Sequence, residues 1–226
     1  MTVNYKLLVS ALIAICIASL TALISDVFRQ FLIPSDSPFA IEHHLLRSPT
    51  LQKLGALVSN VICVVGFVGG GIAGLFAFPK GNRPGFLFSI FAACWVAAIL
   101  FALVAPIFPA REGLIAGEVA VCIASLTLLS IFSLIGQTVE WDLLAKSGNY
   151  SFLAMGFLTV AYPIGIFANL LLPNIFTNDT LFYLGWLAKF VNYLMLLIIA
   201  ALGTYTAGAF LRGTTFKYHF ISAEGE

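Results

Sequence analysis

The chain has 226 residues, of which 61% are hydrophobic and only 9% are charged, and its formal net charge is +1. A soluble domain carries about 25% charged residues, so this composition excludes an ordinary water-soluble fold and makes lipid the solvent for most of the chain. The near-zero charge, without a basic or acidic tail, argues against nucleic-acid binding.

Six apolar runs are each long enough to cross a membrane. About 20 apolar residues are needed to span the roughly 30 Å hydrocarbon layer. Short links with turn residues separate most of these runs, so neighbouring helices are expected to be antiparallel. The sequence therefore predicts an all-α, six-transmembrane-helix bundle that forms one domain over residues 1–226. The predicted spans cover about residues 7–28, 54–78, 86–108, 114–141, 152–176 and 181–211.

The one long connection, residues 29–53, predicts a short interfacial helix between the first and second spans. Ser37 is a suitable N-cap and Pro38 suits the first helical position. Phe39, Ile41 and Leu45 could rest on the membrane surface. Lys and Arg residues are slightly more numerous on the side that holds both termini, which favours a cytoplasmic location for the two ends.

Small and kinking residues predict how the spans pack. Gly66, Gly70 and Gly74 form a double GxxxG stripe in the second span. Such stripes allow close helix contact, either within one chain or at a dimer or partner seam. The intrachain interpretation is favoured because a six-span chain has many seams to fill. Pro163 removes a backbone donor in the fifth span and predicts a kink there.

Two ionisable residues at membrane depth are candidate functional groups. Glu118 lies about one turn inside the fourth span and Lys189 about two turns inside the sixth, and both fall in the same half of the bilayer. One interpretation is a polar pocket in which they form an ion pair or Glu118 carries a proton. The other is that the sixth span begins near Phe190, so that Lys189 reaches the interface and Glu118 lies near a helix start. Three further polar residues, Asp26, Asn60 and Asn169, fall at the same end, and Asn192 lies a little deeper; all four are included in the possible pocket.

The inventory argues against several cofactors. The three histidines all lie outside the spans, which excludes a haem held by two histidines from facing helices. The four cysteines lie in separate apolar runs without metal-ligand spacing, so no metal site is predicted. No catalytic motif appears. Trp95 is interpreted as core packing. No cofactor is predicted, although a bound lipid or pigment would be compatible with the sequence.

The favoured function is a non-catalytic accessory or scaffold subunit that packs against other membrane subunits, or against itself, in a larger membrane complex. The alternative is a small transporter or channel with a polar intramembrane pocket around Glu118 and Lys189. A lipid-modifying enzyme ranks last, because Glu118, Lys189, Asp26 and Tyr193 do not form a known catalytic pattern.

Overall fold

The computed structural model describes residues 3–31, 49–104 and 178–212, together with positions 123, 124, 126, 127 and 130. Every secondary-structure element within these ranges is helical. Four of the helices are long and apolar enough to cross a membrane, which confirms the predicted all-α membrane architecture at this level. Their apolar windows are Tyr5–Ser25, Leu57–Ala77, Arg83–Leu100 and Phe190–Ala209. The predicted interfacial helix, the fifth span, Glu118, Pro163 and Asn169 lie outside the described residues.

Helix α1 extends over Tyr5–Phe31. Its start is capped by Asn4, whose Oδ1 accepts a hydrogen bond from the backbone N–H of Leu7 at 3.2 Å, and this bond satisfies one of the free donors of the first turn. The buried face of the helix includes Ala11, Ile15 and Ala18. The opposite face is an exposed apolar stripe formed by Ile13, Ile17, Leu20 and Ile24.

The second membrane crossing is a continuous rod made of three segments. Helix α2 covers Pro49–Val64, a π-helical segment covers Val65–Gly69, and helix α3 covers Gly70–Ala77. Pro49 suits the first helical position because the N–H that it lacks would have no intrahelical partner there. A π-helical segment places one extra residue in the turn. The backbone stays right-handed helical at both of its junctions, so the rod is not broken.

A tight turn joins the rod to helix α4, which covers Arg83–Val104. The backbone N–H of Asn82 donates to the carbonyl oxygen of Pro79 at 3.2 Å. Gly81 has a φ of +83°, a conformation that side chains with a Cβ rarely adopt. The turn lies within the sequence PKGNRPG, where turn chemistry predicts it, and it returns α4 across the membrane antiparallel to α3.

Helix α1 is the centre of the described packing. It contacts the whole α2–α3 rod, and it packs most extensively against helix α5, Asn178–Leu211. Helix α4 packs on α3 and on the π-helical segment. Ala124, from the predicted fourth span, is fully buried in the same core. The largest fully buried side chains are Phe67, Phe88, Phe91, Leu12, Ile15, Leu196 and Ile199.

Candidate functional site

The GxxxG glycines lie at helix contacts within the chain. A Cβ atom on Gly66 would be 2.5 Å from the Cβ of Ala18, and one on Gly70 would be 2.7 Å from Cγ1 of Ile15. These distances are below van der Waals contact, so only glycine permits this approach of the rod to α1. Gly74 packs against the ring of Phe88 in α4. The rod therefore uses two of the three glycines against α1 and the third against α4.

Between Gly66 and Gly70 in the chain lies Phe67, which belongs to an aromatic cluster of four side chains from three elements. Phe67, from the π-helical segment, is 0% exposed. Its ring lies parallel to that of Trp95, with centroids 3.9 Å apart and an interplanar angle of 6°. Phe91 meets Phe67 edge to face at 6.3 Å, and Tyr193 of α5 stacks on it at 6.4 Å. Phe67 thus connects α4 with α5 through ring contacts.

Two buried polar atoms among the described residues have no hydrogen-bond partner. They are Nε1 of Trp95 and Oδ1 of Asn192. Asn192 directly precedes Tyr193 on α5, and it is only 1% exposed. A buried polar atom without a partner carries a desolvation penalty of about 1–3 kcal/mol. The aromatic cluster therefore contains one free donor, Nε1 of Trp95, and Asn192 on α5 carries a free acceptor.

Other buried polar groups in the described core are satisfied locally. The hydroxyl of Ser19 donates to the carbonyl oxygen of Ile15 at 2.8 Å. The hydroxyl of Thr206 donates to the carbonyl oxygen of Leu202 at 2.7 Å. Such bonds to the preceding turn are a common way to bury a hydroxyl in a membrane helix. Asn192 differs from them because its unpaired Oδ1 is an acceptor, as is the carbonyl oxygen of the preceding turn, and Nε1 of Trp95 likewise has no partner.

The outer face of α2 is a second feature with functional potential. Of the described helices, α1 is the one that packs extensively against α2. Large apolar side chains are exposed on another side of α2, with Leu57 60% exposed. Gly55 adds an open position, since a Cβ there would meet no atom within 4 Å. The amide of Asn60 is exposed on the same helix. The α2 outer face is the surface formed by Leu54, Gly55, Leu57, Val58, Asn60, Val61, Ile62 and Val65.

The residues of the predicted polar pocket occupy different surroundings. Asn192 is buried in the core, whereas Asn60 is exposed on α2. Asp26 follows the apolar window of α1, and Lys189 directly precedes that of α5. Their backbones are helical, and their side chains lie outside the described set, as do Glu118 and Asn169 entirely.

Sequence reasoning missed the pairing of Phe67 with Trp95. Its interpretation of Trp95 as a core residue agrees with the burial of that side chain. The free indole N–H, however, depends on what surrounds the ring after packing. The available signal was a tryptophan near the middle of a membrane span, where an indole N–H has no water to bind.

The described residues offer no metal centre. Among them, no three His, Cys, Asp or Glu side chains come close enough together to hold an ion. The thiols of Cys16, Cys63 and Cys94 are not in disulfide bonds. The Cys63 thiol lies 3.6 Å from the carbonyl oxygen of Ala18, to which it donates across the seam between α1 and α2.

Comparison with known proteins finds no matching family model, no matching curated protein and no matching solved structure. The functional argument therefore depends on the aromatic cluster and on the α2 outer face.

Proposed function

We propose that this chain is a non-catalytic accessory or scaffold subunit that packs against partner subunits in a larger membrane complex. The observation that carries the proposal is the α2 outer face. Exposed apolar side chains alone would only indicate lipid contact, because lipid tails are as apolar as leucine. The exposed amide of Asn60 is different, since hydrocarbon cannot hydrogen-bond to it.

A polar side chain on a partner helix would remove this mismatch. Interhelical hydrogen bonds from Asn side chains contribute about 1–2 kcal/mol to helix association in model membrane peptides. Gly55 has open space elsewhere on the same helix. We therefore propose that Asn60 pairs with a polar group of a partner transmembrane helix that lies along α2.

Purification of the tagged chain in mild detergent tests this role. Wild-type protein should retain stoichiometric partner subunits. Asn60→Leu should weaken their association by about tenfold, which corresponds to the loss of one interhelical hydrogen bond. Asn60→Gln keeps the amide and serves as the matched control. A chain that is monomeric in the membrane, with the same behaviour in Asn60→Leu, would overturn the proposal, and a homo-oligomer sensitive to Asn60→Leu would identify the partner as a second copy.

We propose a finer membrane topology together with this role. In addition to the four described crossings, two further spans at about residues 114–141 and 152–176 give a total of six. An interfacial helix with Ser37 and Pro38 at its start lies between the first two spans. Both termini are on the cytoplasmic side, as the distribution of Lys and Arg favours.

A small transporter or channel is the second candidate function. It is favoured by Asn192, a predicted member of the polar pocket, because this residue is buried and keeps a free acceptor. In this role Glu118 and Lys189 would line the same pocket. Glu118→Gln should then alter transport in reconstituted vesicles while leaving the unfolding temperature unchanged. Equal transport by wild type and variant, measured over a panel of ions and protons, would remove this candidate.

A further inference from the structure

We propose that Lys6, Lys80 and Arg83 form a basic face that binds anionic phospholipids in the membrane leaflet next to it. The proposal is independent of the subunit role, which depends on the α2 outer face. Its first support is the position of Lys6 and Lys80. The backbone N–H of Asn4 donates to the carbonyl oxygen of Ala77 at 2.8 Å, so the start of α1 and the end of α3 lie at the same membrane face.

The tight turn after α3 adds Arg83 to this end of the molecule. The backbone N–H of Asn82 donates to the carbonyl oxygen of Pro79 at 3.2 Å. A turn of this kind keeps its first and last Cα atoms within about 7 Å of each other. Lys80 lies inside the turn, and Arg83 is the first residue of α4. The basic face therefore draws its three residues from α1, the turn and α4, which are held at one face of the membrane.

All three residues lie where the apolar length of the helices ends. The apolar windows of the helices concerned are Tyr5–Ser25, Leu57–Ala77 and Arg83–Leu100. Lys6 is the second residue of the first window, Lys80 follows the second by three positions, and Arg83 opens the third. Hydrocarbon gives way to lipid headgroups at this level. A long basic side chain can therefore extend its charge to the phosphates while its apolar stem stays against lipid.

The neighbouring sequence does not neutralise this positive charge. The side chains of Lys6, Lys80 and Arg83 are exposed. No Asp or Glu occurs in residues 1–25 or in residues 43–111, which include the whole of the α2–α3 rod, the turn and α4. An anionic phospholipid supplies the missing negative charge, whereas a zwitterionic headgroup carries its own positive charge. The basic face should therefore discriminate between these two lipid classes.

Exposed aromatic rings accompany the basic residues and favour a lipid as the partner. Phe76 is 70% exposed and Phe86 is 64% exposed. Phe86 follows Arg83 by three positions in α4, so the two residues are neighbours on one side of that helix. The surface thus combines apolar contact with positive charge, the two terms that bind a protein to an anionic bilayer. An acidic protein segment outside the membrane would match only the charge.

Native mass spectrometry of the full-length chain in detergent tests the proposal. The chain is titrated with dioleoyl phosphatidylglycerol or with dioleoyl phosphatidylcholine, which differ in headgroup charge but not in acyl chains. Wild type should bind its first phosphatidylglycerol about fivefold more tightly than its first phosphatidylcholine, the factor expected for one basic residue near the headgroup. The triple variant Lys6→Gln, Lys80→Gln, Arg83→Gln should bind the two lipids with about equal affinity.

A second triple variant is the matched control for total charge. Arg29→Gln, Arg47→Gln and Lys53→Gln also remove three positive charges, but these residues belong to the far end of α1, the start of α2 and the connection between them. This variant should keep the preference for phosphatidylglycerol. An equal loss of preference in both triple variants would overturn the proposal, because total charge and not the basic face would then determine binding.

Two further measurements keep the test valid if the neutralised variant does not fold. The charge-preserving variant Lys6→Arg, Lys80→Arg, Arg83→Lys should retain the preference. Raising the ammonium acetate concentration from about 0.1 M to about 1 M should abolish the preference in wild type, because the Debye length falls from about 10 Å to about 3 Å. If wild type binds both lipids equally at low salt, the proposal is wrong, and an acidic partner segment becomes the better complement of these charges.

Discussion

The backbone N–H of Asn4 donates to the carbonyl oxygen of Ala77 at 2.8 Å. This bond joins the residue before α1 to the last residue of α3. The first end of one crossing and the last end of the next are therefore at the same face of the membrane. It also gives a partner to one of the carbonyl groups that a helix C-terminus leaves free.

Lys6 and Lys80 should consequently be accessible from the same side of the membrane. Both side chains are exposed, and they lie near Asn4 and Ala77 in the chain. Lys6→Cys and Lys80→Cys should react with an impermeant maleimide under the same conditions in sealed vesicles, while Gln52→Cys should need the opposite face. The chain without added cysteines controls for its native thiols. Labelling of the two lysine positions from different sides would contradict the arrangement.

Gly69 and Gly70 are adjacent and should respond differently to substitution. A Cβ on Gly70 would be 2.9 Å from the carbonyl oxygen of Ala11, whereas one on Gly69 would meet no atom within 4 Å. Gly70→Ala should lower the free energy of unfolding by about 1–3 kcal/mol, because the seam with α1 must open. Gly69→Ala should be neutral or slightly stabilising, since alanine is the better helix former. Denaturant titration in detergent measures both, and equal effects would contradict the close packing at Gly70.

Gly81 should tolerate asparagine better than valine. Its φ of +83° is in the region that β-branched residues avoid and that Asn adopts more readily. Its virtual Cβ has open space, so backbone strain alone determines the effect. Gly81→Val should lower the free energy of unfolding by about 1–2 kcal/mol, and Gly81→Asn by less than half of that. Thermal unfolding of both variants provides the measurement, and the prediction fails if the two are equal.

Deletion of Gly69 should convert the π-helical segment into an α-helical turn. The loss of one residue rotates α2 by about 100° relative to α3. Gly74 would keep its place against Phe88, but Gly66 would turn away from Ala18. We expect the free energy of unfolding to fall by about 2 kcal/mol, which is comparable to the effect expected for Gly70→Ala. Gly69→Ala is the matched control, and an unchanged stability of the deletion variant would show that the extra residue is not needed for the seam.

The sequence predicted the helices and the close contacts of Gly66, Gly70 and Gly74 from local properties. Hydrophobic length determines a span, and a small side chain permits close approach wherever a helix passes. These properties do not depend on the rest of the fold. The turn within PKGNRPG, residues 79–85, was readable for the same reason, because clustered glycine and proline residues favour turns.

The sequence alone does not show which of the polar residues are buried and which are exposed. Asn60 was assigned to the same end as Glu118 and Asn192 to a slightly deeper position, but depth does not determine which face of a helix a residue occupies. The face of Asn60 depends on the extra residue of the π-helical segment, which shifts the phase of α2 relative to α3 by about 100°. No proline or polar residue within Val65–Gly69 signals this insertion, since the segment reads VGFVG.

Helix α5 is 34 residues long, which corresponds to about 51 Å at 1.5 Å per residue. Fitting all of it into a 30 Å hydrocarbon layer would require a tilt of about 54°, beyond the roughly 0–40° that membrane helices adopt. The apolar window Phe190–Ala209 accounts for about 30 Å of this length. The helix is therefore longer by about 21 Å than a perpendicular crossing of such a layer requires.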